Sequence, residues 1–251
     1  MPKQHPDTVH RGTHRDYRSG ITPAQGETTF QVVVEETDLL VVARADLSAE
    51  TTRIVTGLRG QIKAYMTLNP VFGPSLQPVA VPDSAPPIIR SMAEAAQQCG
   101  VGPMAAVAGT VAQYTACALL DKSPDILVEN GGDLYLCSTR RRVVAILADP
   151  SGDASLGLAL EPEDFPCSLC ASSATIGHSL SLGRGELVVA RAANASLADA
   201  AATALCNMLR SHQDLKRVTA CAEALGLDGV FAQCNGTISV WGDMELVALK
   251  R

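Results

Sequence analysis

Residues 126–138 read Ile-Leu-Val-Glu-Asn-Gly-Gly-Asp-Leu-Tyr-Leu-Cys-Ser. Two short apolar runs, 126–128 and 134–138, flank the polar Asn130-Gly131-Gly132-Asp133, a pattern that predicts two strands about a turn. The same signal recurs on both sides. Upstream, FQVVVEETDLLVVAR (30–44) sets two β-branched runs around Glu35-Glu36-Thr37-Asp38, a second hairpin. Downstream, GVFAQCNGTISVW (229–241) centres on Asn235-Gly236, the strongest short hairpin signal in the chain. Further strands are expected over 143–148, ended by the turn Asp149-Pro150-Ser151-Gly152, and over 186–191 and 244–249.

Helical stretches interleave with these strands. Ser48 is placed to cap a helix whose Ile54, Leu58, Ile62 and Met66 form one stripe. Six prolines within 69–87 demand an irregular connection. A helix then runs from Pro87 to Gly100, where glycine can take the left-handed cap conformation. Gly102-Pro103 opens a helix of small residues over 103–121, and two more are expected over 197–211 and 214–225. Strand groups and helices mix without strict βαβ alternation, so the fold class is α+β or mixed α/β, with helices packed on sheets. Residues 1–25 lack periodicity and read as a disordered tail; 26–251 read as a single domain.

Of the 251 residues, 47% are hydrophobic, 18% charged and only 4% aromatic, so the core must be built from Ala, Val, Leu and Ile. The net charge of −6 argues against bulk nucleic-acid binding. The two basic candidates, Arg140-Arg141-Arg142 and the tail, read as solvated surface. No run suits a membrane span and the N-terminus lacks an apolar signal core, which predicts a cytoplasmic protein. Eight cysteines sit mostly inside apolar runs. Reduced, buried thiols without disulfides are expected.

Several constellations can carry chemistry. Asp199 and Thr203, four apart, share a helical face and suit Mg²⁺, or else Asp199 is a first-turn acid and Thr203 bonds back to its own helix. Glu129-Asn-Gly-Gly-Asp133 can admit a ligand close to the backbone, or is only a tight turn. The segment from Cys170 to Gly183 gathers five hydroxyls, one thiol and His178, an unusual density for a structural loop. Cys167-Ser-Leu-Cys170 could be a redox pair, although no second CxxC completes a zinc site. The helix start at Gly102-Pro103 offers free N–H groups to a phosphate, or is simply a buried helix start.

Taken in order, the Gly-Gly-Asp turn, the Ser172-Ser173 segment and the Asp-x-x-x-Thr helix resemble the ApbE-like superfamily, the FAD:protein FMN transferases. EETDL, VGPMAAVAG, VENGGDLY, CASSATIGHSLS and LADAAATA, spread over about residues 30–248, resemble a cytoplasmic branch of it more closely. The resemblance implies Mg²⁺ on Asp199 and Thr203, with a backbone carbonyl near Ala106 completing the site. It implies FAD lined by Gly131, Gly132, Ser172 and Ser173, and Asp133, Gly177 and Ser179 of the same motifs are further candidate cofactor contacts. Asp199, His178 and Cys170 are the candidate catalytic residues. Ser172, Ser173, His178, Gly131, Gly132 and Asp199 are expected to converge on one cleft. Ala108 stands where the transferase helix carries lysine.

Three functions compete on this reading. One is a Mg²⁺-dependent flavin-nucleotide protein, able to transfer FMN to a protein acceptor. The second is a sulfur-handling protein for sulfide assimilation, with Cys170 as thiolate or persulfide, its pKa lowered by backbone N–H groups. The third is a non-catalytic binding protein on the same fold, with a homo-oligomer possible in any case. Expected partners are a small-molecule nucleotide or a protein acceptor, with neither nucleic acid nor membrane.

Overall fold

Local hairpins generate most of the molecule. The computed structural model describes Arg18 and residues 23–146, 156–174 and 185–249. β1 (Thr28–Val34) and β2 (Thr37–Ala43) pair antiparallel across Glu35-Glu36. β3 (Ile126–Asn130) and β4 (Asp133–Cys137) do so across Gly131 and Gly132. Both glycines have positive φ, 69° and 102°, which this two-residue turn requires. After β5 (Arg142–Ile146) and β6 (Leu156–Leu160) come β7 (Cys167–Ser172) and β8 (Leu187–Ala192). β9 (Gly229–Cys234) and β10 (Thr237–Gly242) form the expected hairpin about Asn235-Gly236, and β11 (Glu245–Ala248) follows.

The main sheet has eight strands in the order β1-β2-β3-β4-β7-β8-β9-β10, and a second has the order β11-β6-β5. Every pairing among the described residues is antiparallel. Of the two expected classes the fold is therefore α+β. The main sheet buries both faces. One carries Val41, Val128, Cys170, Val188 and Val230 against the helices; the other carries Leu136, Cys167, Leu169, Val189 and Phe231 against Ile146, Leu158 and Leu160 of the small sheet.

α1 (Ser48–Leu68) begins one residue before the expected geometry allows Ser48 to cap it. Leu47 occupies the cap position, and the Ser48 N–H donates to Asp46 Oδ1 at 2.9 Å. Its buried positions are Thr51, Val55, Leu58 and Ile62, while Ile54 and Met66 are half-buried. A strict four-residue stripe drifts around a helix of 3.6 residues per turn, so the buried path steps by four, three and four. α2 (Pro87–Cys99) ends on Gly100 with φ 69°, as expected. Residues 69–86 hold no helix or strand.

The expected helix over 103–121 is a 3₁₀ turn, Pro103–Ala106, followed by α3 (Val107–Cys117). Gly102 lies flat against another strand of chain: a Cβ there would stand 1.8 Å from the Ser75 carbonyl oxygen. That main chain covers the helix start read as a phosphate site. α4 (Ala195–Met208) is capped by Asn194, whose Oδ1 accepts the Leu197 N–H at 3.1 Å, and α5 (Leu215–Ala224) follows.

β6 and most of β7 were not anticipated. Gly157 weakens the strand signal of LGLAL, yet a Cβ there would stand 2.8 Å from Val143 and 2.9 Å from Leu249. In β7 the spacing of Cys167 and Cys170 sends their side chains to opposite faces, into two different cores. A local redox pair is thereby ruled out, and all eight cysteines are free. Asp149-Pro150-Ser151-Gly152 lies outside the described residues.

The basic tract is tied down rather than freely solvated. Arg141 pairs with Glu161 at 2.7 Å, while Arg140 and Arg142 join Arg44 around the fully buried Asp125. Among the described residues no helix is long and apolar enough to cross a membrane.

Candidate active site

The first turn of a helix has N–H groups without intrahelical partners. In α3 one of these, on Gly109, donates to Asp199 Oδ2 at 2.8 Å, and the Ala108 N–H reaches the same carboxylate. Asp199 thus caps a helix other than its own. The reading of Asp199 as a first-turn acid of its own helix fails, because α4 starts at Ala195 and puts it in the second turn. The approach of the two helices demands glycine at 109. A Cβ there would stand 2.5 Å from the Ala195 carbonyl oxygen, 2.9 Å from Asp199 Cβ and 3.1 Å from Cys170 Sγ.

β4 and β7 deliver the rest of the knot. Asp133, first residue of β4, accepts the Ala171 N–H on Oδ1 at 3.0 Å, extending the ladder between the two strands. Cys170 lies 3.7 Å from the Ala195 carbonyl oxygen and also hydrogen-bonds the Asp133 carboxylate. Asn130 Nδ2 donates to the Ala108 carbonyl at 3.0 Å, tying the Gly-Gly turn to α3. Asp133, Cys170 and Asp199, far apart in sequence, therefore share one buried space, with both carboxylates less than a tenth exposed.

Electrostatics mark this space. Burial pushes Asp199 up to about 7, against the pull of the Gly109 and Ala108 N–H groups. Burial and then the neighbouring Asp199 push Asp133 well above the carboxylate range. Among the described residues no basic group offsets them, and neither carboxylate has an ion pair. Cys170 is fully buried, and burial followed by the charges of Asp133 and Asp199 drives its thiol up. The expected lowering of its pKa does not occur, so this cysteine is no ready thiolate.

Thr203 lies one turn beyond Asp199 on α4 and is half-buried. Its hydroxyl makes no hydrogen bond among the described residues and does not bond back to its helix, as Thr110 does to the Ala106 carbonyl. Ala106 is fully buried with its carbonyl already engaged by that threonine, which makes it a poor ion ligand. Ser172 is buried two residues beyond Cys170 on the same face of β7, and its Oγ has no partner among the described residues. Ser173 instead gives its hydroxyl to the Glu186 carbonyl. Gly131 and Gly132 form the tight turn, and the Gly132 N–H is taken by Glu129 Oε1 at 2.7 Å. Gly177, His178 and Ser179 lie outside the described residues. No group of three His, Cys, Asp or Glu able to hold a metal occurs among the described residues. An ion here would rest on two carboxylates at most, with hydroxyls and ligand oxygens around it.

Sequence reasoning missed Gly109, Glu129 and Arg18 as parts of this region. Gly109 and Glu129 stood inside recognised motifs without a role. Arg18 had no local signal: its Nε donates to Glu129 Oε2 at 2.6 Å across 111 residues. Two open hollows lie elsewhere. One, of about 420 Å³, is lined by acids including Glu161, Glu163 and Asp243; the other, of about 450 Å³, lies among Cys99, Met208, Cys221 and Leu225. Neither contains the buried carboxylates.

Comparison with known proteins agrees with this architecture. Residues 21–230 match the family model described as AbpE bacteria. A UPF0280 protein of Methanocella arvoryzae is 34% identical over 216 residues, covering 86% of each chain. Another, from Methanopyrus kandleri, is 37% identical over 181 residues, 72% of this chain and 73% of that one. Among solved structures, a point mutant of the flavin transferase ApbE from Vibrio cholerae superposes with a TM-score of 0.57 at 11% identity, covering 86% of this chain and 96% of that one. The ApbE protein of Thermotoga maritima gives 0.55 at 12% identity, with 85% and 96% covered. At such identities the structures share a fold, and the family rests on the sequence matches: the chain belongs to the AbpE bacteria family, an ApbE-like family that it shares with the UPF0280 proteins of methanogenic archaea.

Proposed function

We propose that this protein binds a flavin nucleotide together with Mg²⁺, with Asp199 and Thr203 as the protein's ion ligands. One observation carries the reading: a carboxylate that is buried and, among the described residues, without a basic partner stands one helical turn from a hydroxyl that has no hydrogen bond among them. Mg²⁺ takes about six oxygens and usually keeps waters or shares phosphate oxygens, so an incomplete protein shell suits it. Bound there, it would neutralise the pyrophosphate of FAD. Asp199 supplies the charge, held in place by the α3 N–H groups, and Thr203 supplies a neutral oxygen. Ser172, buried on the same face as Cys170 and without a partner among the described residues, is a second polar group able to meet the ligand.

The likeness to ApbE flavin transferases extends the reading to transfer of FMN onto an acceptor hydroxyl. Ala108 in place of lysine leaves that step with one positive charge fewer. With all eight thiols free, a reducing compartment suits the chain, and we read the protein as cytoplasmic. The sulfur-handling reading loses its footing in the buried, proton-retaining Cys170.

Calorimetry with FAD, with and without Mg²⁺, tests the proposal on wild type, Asp199→Asn and Thr203→Val. FAD should bind only with Mg²⁺. Asp199→Asn should abolish that binding, and Thr203→Val should weaken it less. FAD binding by Asp199→Asn at wild-type strength would reject the ion site. Release of AMP on adding acceptor proteins separates a transferase from a binding protein.

A further inference from the structure

We propose that Arg18 is a positioning residue for the candidate site, holding the Gly131-Gly132 turn, and through it Asp133, by neutralising the buried Glu129. The chain of contacts is continuous. Arg18 Nε donates to Glu129 Oε2 at 2.6 Å; Glu129 Oε1 accepts the Gly132 N–H at 2.7 Å; the next residue, Asp133, accepts the Ala171 N–H at 3.0 Å. The same guanidinium donates to Asp38 Oδ1 and to the Asp38 carbonyl, each at 2.8 Å. It therefore clamps the start of β2 to the end of β3, where Leu39 pairs with Asn130.

Burial makes this clamp consequential. The Glu129 side chain is 1% exposed and that of Arg18 9% exposed. A buried carboxylate that loses a cation shifts toward solvent or toward its remaining partners, and either response alters its bond to Gly132. Glu129 also adds to the negative field on Asp133, already beside Asp199. Four acids, Asp38, Glu129, Asp133 and Asp199, line this end of the sheet, and Arg18 reaches two of them. A guanidinium fork suits this double engagement, whereas an ammonium does not. Among the described residues Arg18 reaches Glu129 and Asp38 and neither of the proposed ion ligands, so its effect is expected to pass through the turn.

The effect on ligand binding rests on the flavin-nucleotide reading; the effect on the turn does not. The experiment uses the full chain as wild type, Arg18→Gln, Arg18→Lys and the double variant Arg18→Gln with Glu129→Gln. Amide hydrogen exchange is followed across 129–134, with α5 as an internal reference, and FAD is titrated in Mg²⁺. Arg18→Gln should speed exchange at the turn by about tenfold or more while α5 stays unchanged, as expected for a lost charged hydrogen bond. FAD affinity should fall by a similar factor. Arg18→Lys should fall between the two. The double variant should restore slow exchange, because a neutral amide oxygen still accepts the Gly132 N–H and the charge at position 129 is gone.

Wild-type exchange at the turn in Arg18→Gln would overturn the proposal. So would an equal rise at the turn and in α5, which would make Arg18 a general stabiliser. Should Arg18→Gln not fold, Arg18→Lys decides by the same readout. Should wild type bind no FAD, the flavin reading fails while the exchange data still judge the clamp.

Discussion

Gly109→Ala sets two opposing effects against each other inside one helix. Alanine is worth about 1 kcal/mol over glycine in a helix interior. At position 109 the new methyl group would stand 2.5 Å from a carbonyl oxygen of α4, 2.9 Å from Asp199 Cβ and 3.1 Å from Cys170 Sγ. None of these is the loose end of a flexible chain, so α3 and α4 must part. Overpacking of this kind costs about 1–3 kcal/mol, and a lost bond from the Gly109 N–H to Asp199 adds about 1–3 more. The clash wins, with a net loss of roughly 1–5 kcal/mol. At about 2–4 °C per kcal/mol for a chain of this size, the Tm should fall by roughly 2–20 °C. Gly57 and Gly60, exposed on α1, provide the control, since a Cβ there meets nothing within 4 Å. The same substitution at either should raise stability by up to about 1 kcal/mol. Thermal unfolding followed by circular dichroism reads all three. A Gly109→Ala protein as stable as wild type, with Gly57→Ala behaving as described, would refute the close approach on which the site is built.

Other outcomes follow from the same geometry. Asp199, raised to about 7 chiefly by burial, keeps in the folded state a proton that the unfolded chain has released. Stability from this group therefore falls as pH rises from about 4 to 7 and is level above, by at most about 1.4 kcal/mol per unit. The Tm difference between wild type and Asp199→Asn should shift against wild type between pH 5 and 8 without Mg²⁺; parallel Tm curves would show that this carboxyl is not raised. Asp125 would be raised by burial alone, but the Thr139 N–H and Arg44 hold it well below the usual range. Asp125→Ala takes the shared acid from Arg44 and Arg140, leaves Arg142 on Glu27 and frees the Thr139 N–H, and should cost about 1–3 kcal/mol, measured by urea unfolding; a loss below about 0.5 kcal/mol would sink that account. Among the eight thiols only Cys117 is exposed. An alkylating agent should modify it first in native protein and reach Cys167, Cys170, Cys206 and Cys234 only on unfolding, which peptide mapping can check.

Much of the fold was legible in the sequence because hairpins are local. Asn235-Gly236 and Gly131-Gly132 announce turns by backbone needs that few residues meet, and Gly100 announces the end of α2 in the same way. β7 was hidden because serine, cysteine and alanine carry little strand preference, and its identity comes from pairing with β4 and β8. For the candidate site, the motifs supplied Asp133, Ser172, Asp199 and Thr203. Chemistry read from motif composition alone misjudged Cys170: glycine and serine neighbours suggested an activated thiol, whereas two acids from distant elements surround it. The role of Arg18 had no trace in its neighbours, because its partners Asp38 and Glu129 lie 20 and 111 residues away.

The bond between Gly109 and Asp199 also bears on the order in which the molecule is made. The sheet's three tight hairpins each close over a few residues, so their pairing can begin as soon as each emerges from the ribosome. The knot spans 90 residues between Gly109 and Asp199, and contacts of such long range form late, after their loop-closure entropy has been met. A nascent chain stopped short of α4 can pair β3 with β4, yet it leaves the first turn of α3 without its carboxylate. Synthesis of the segment that brings the acid is then also the event that finishes an earlier helix. In this fold assembly of the candidate site therefore waits for α4.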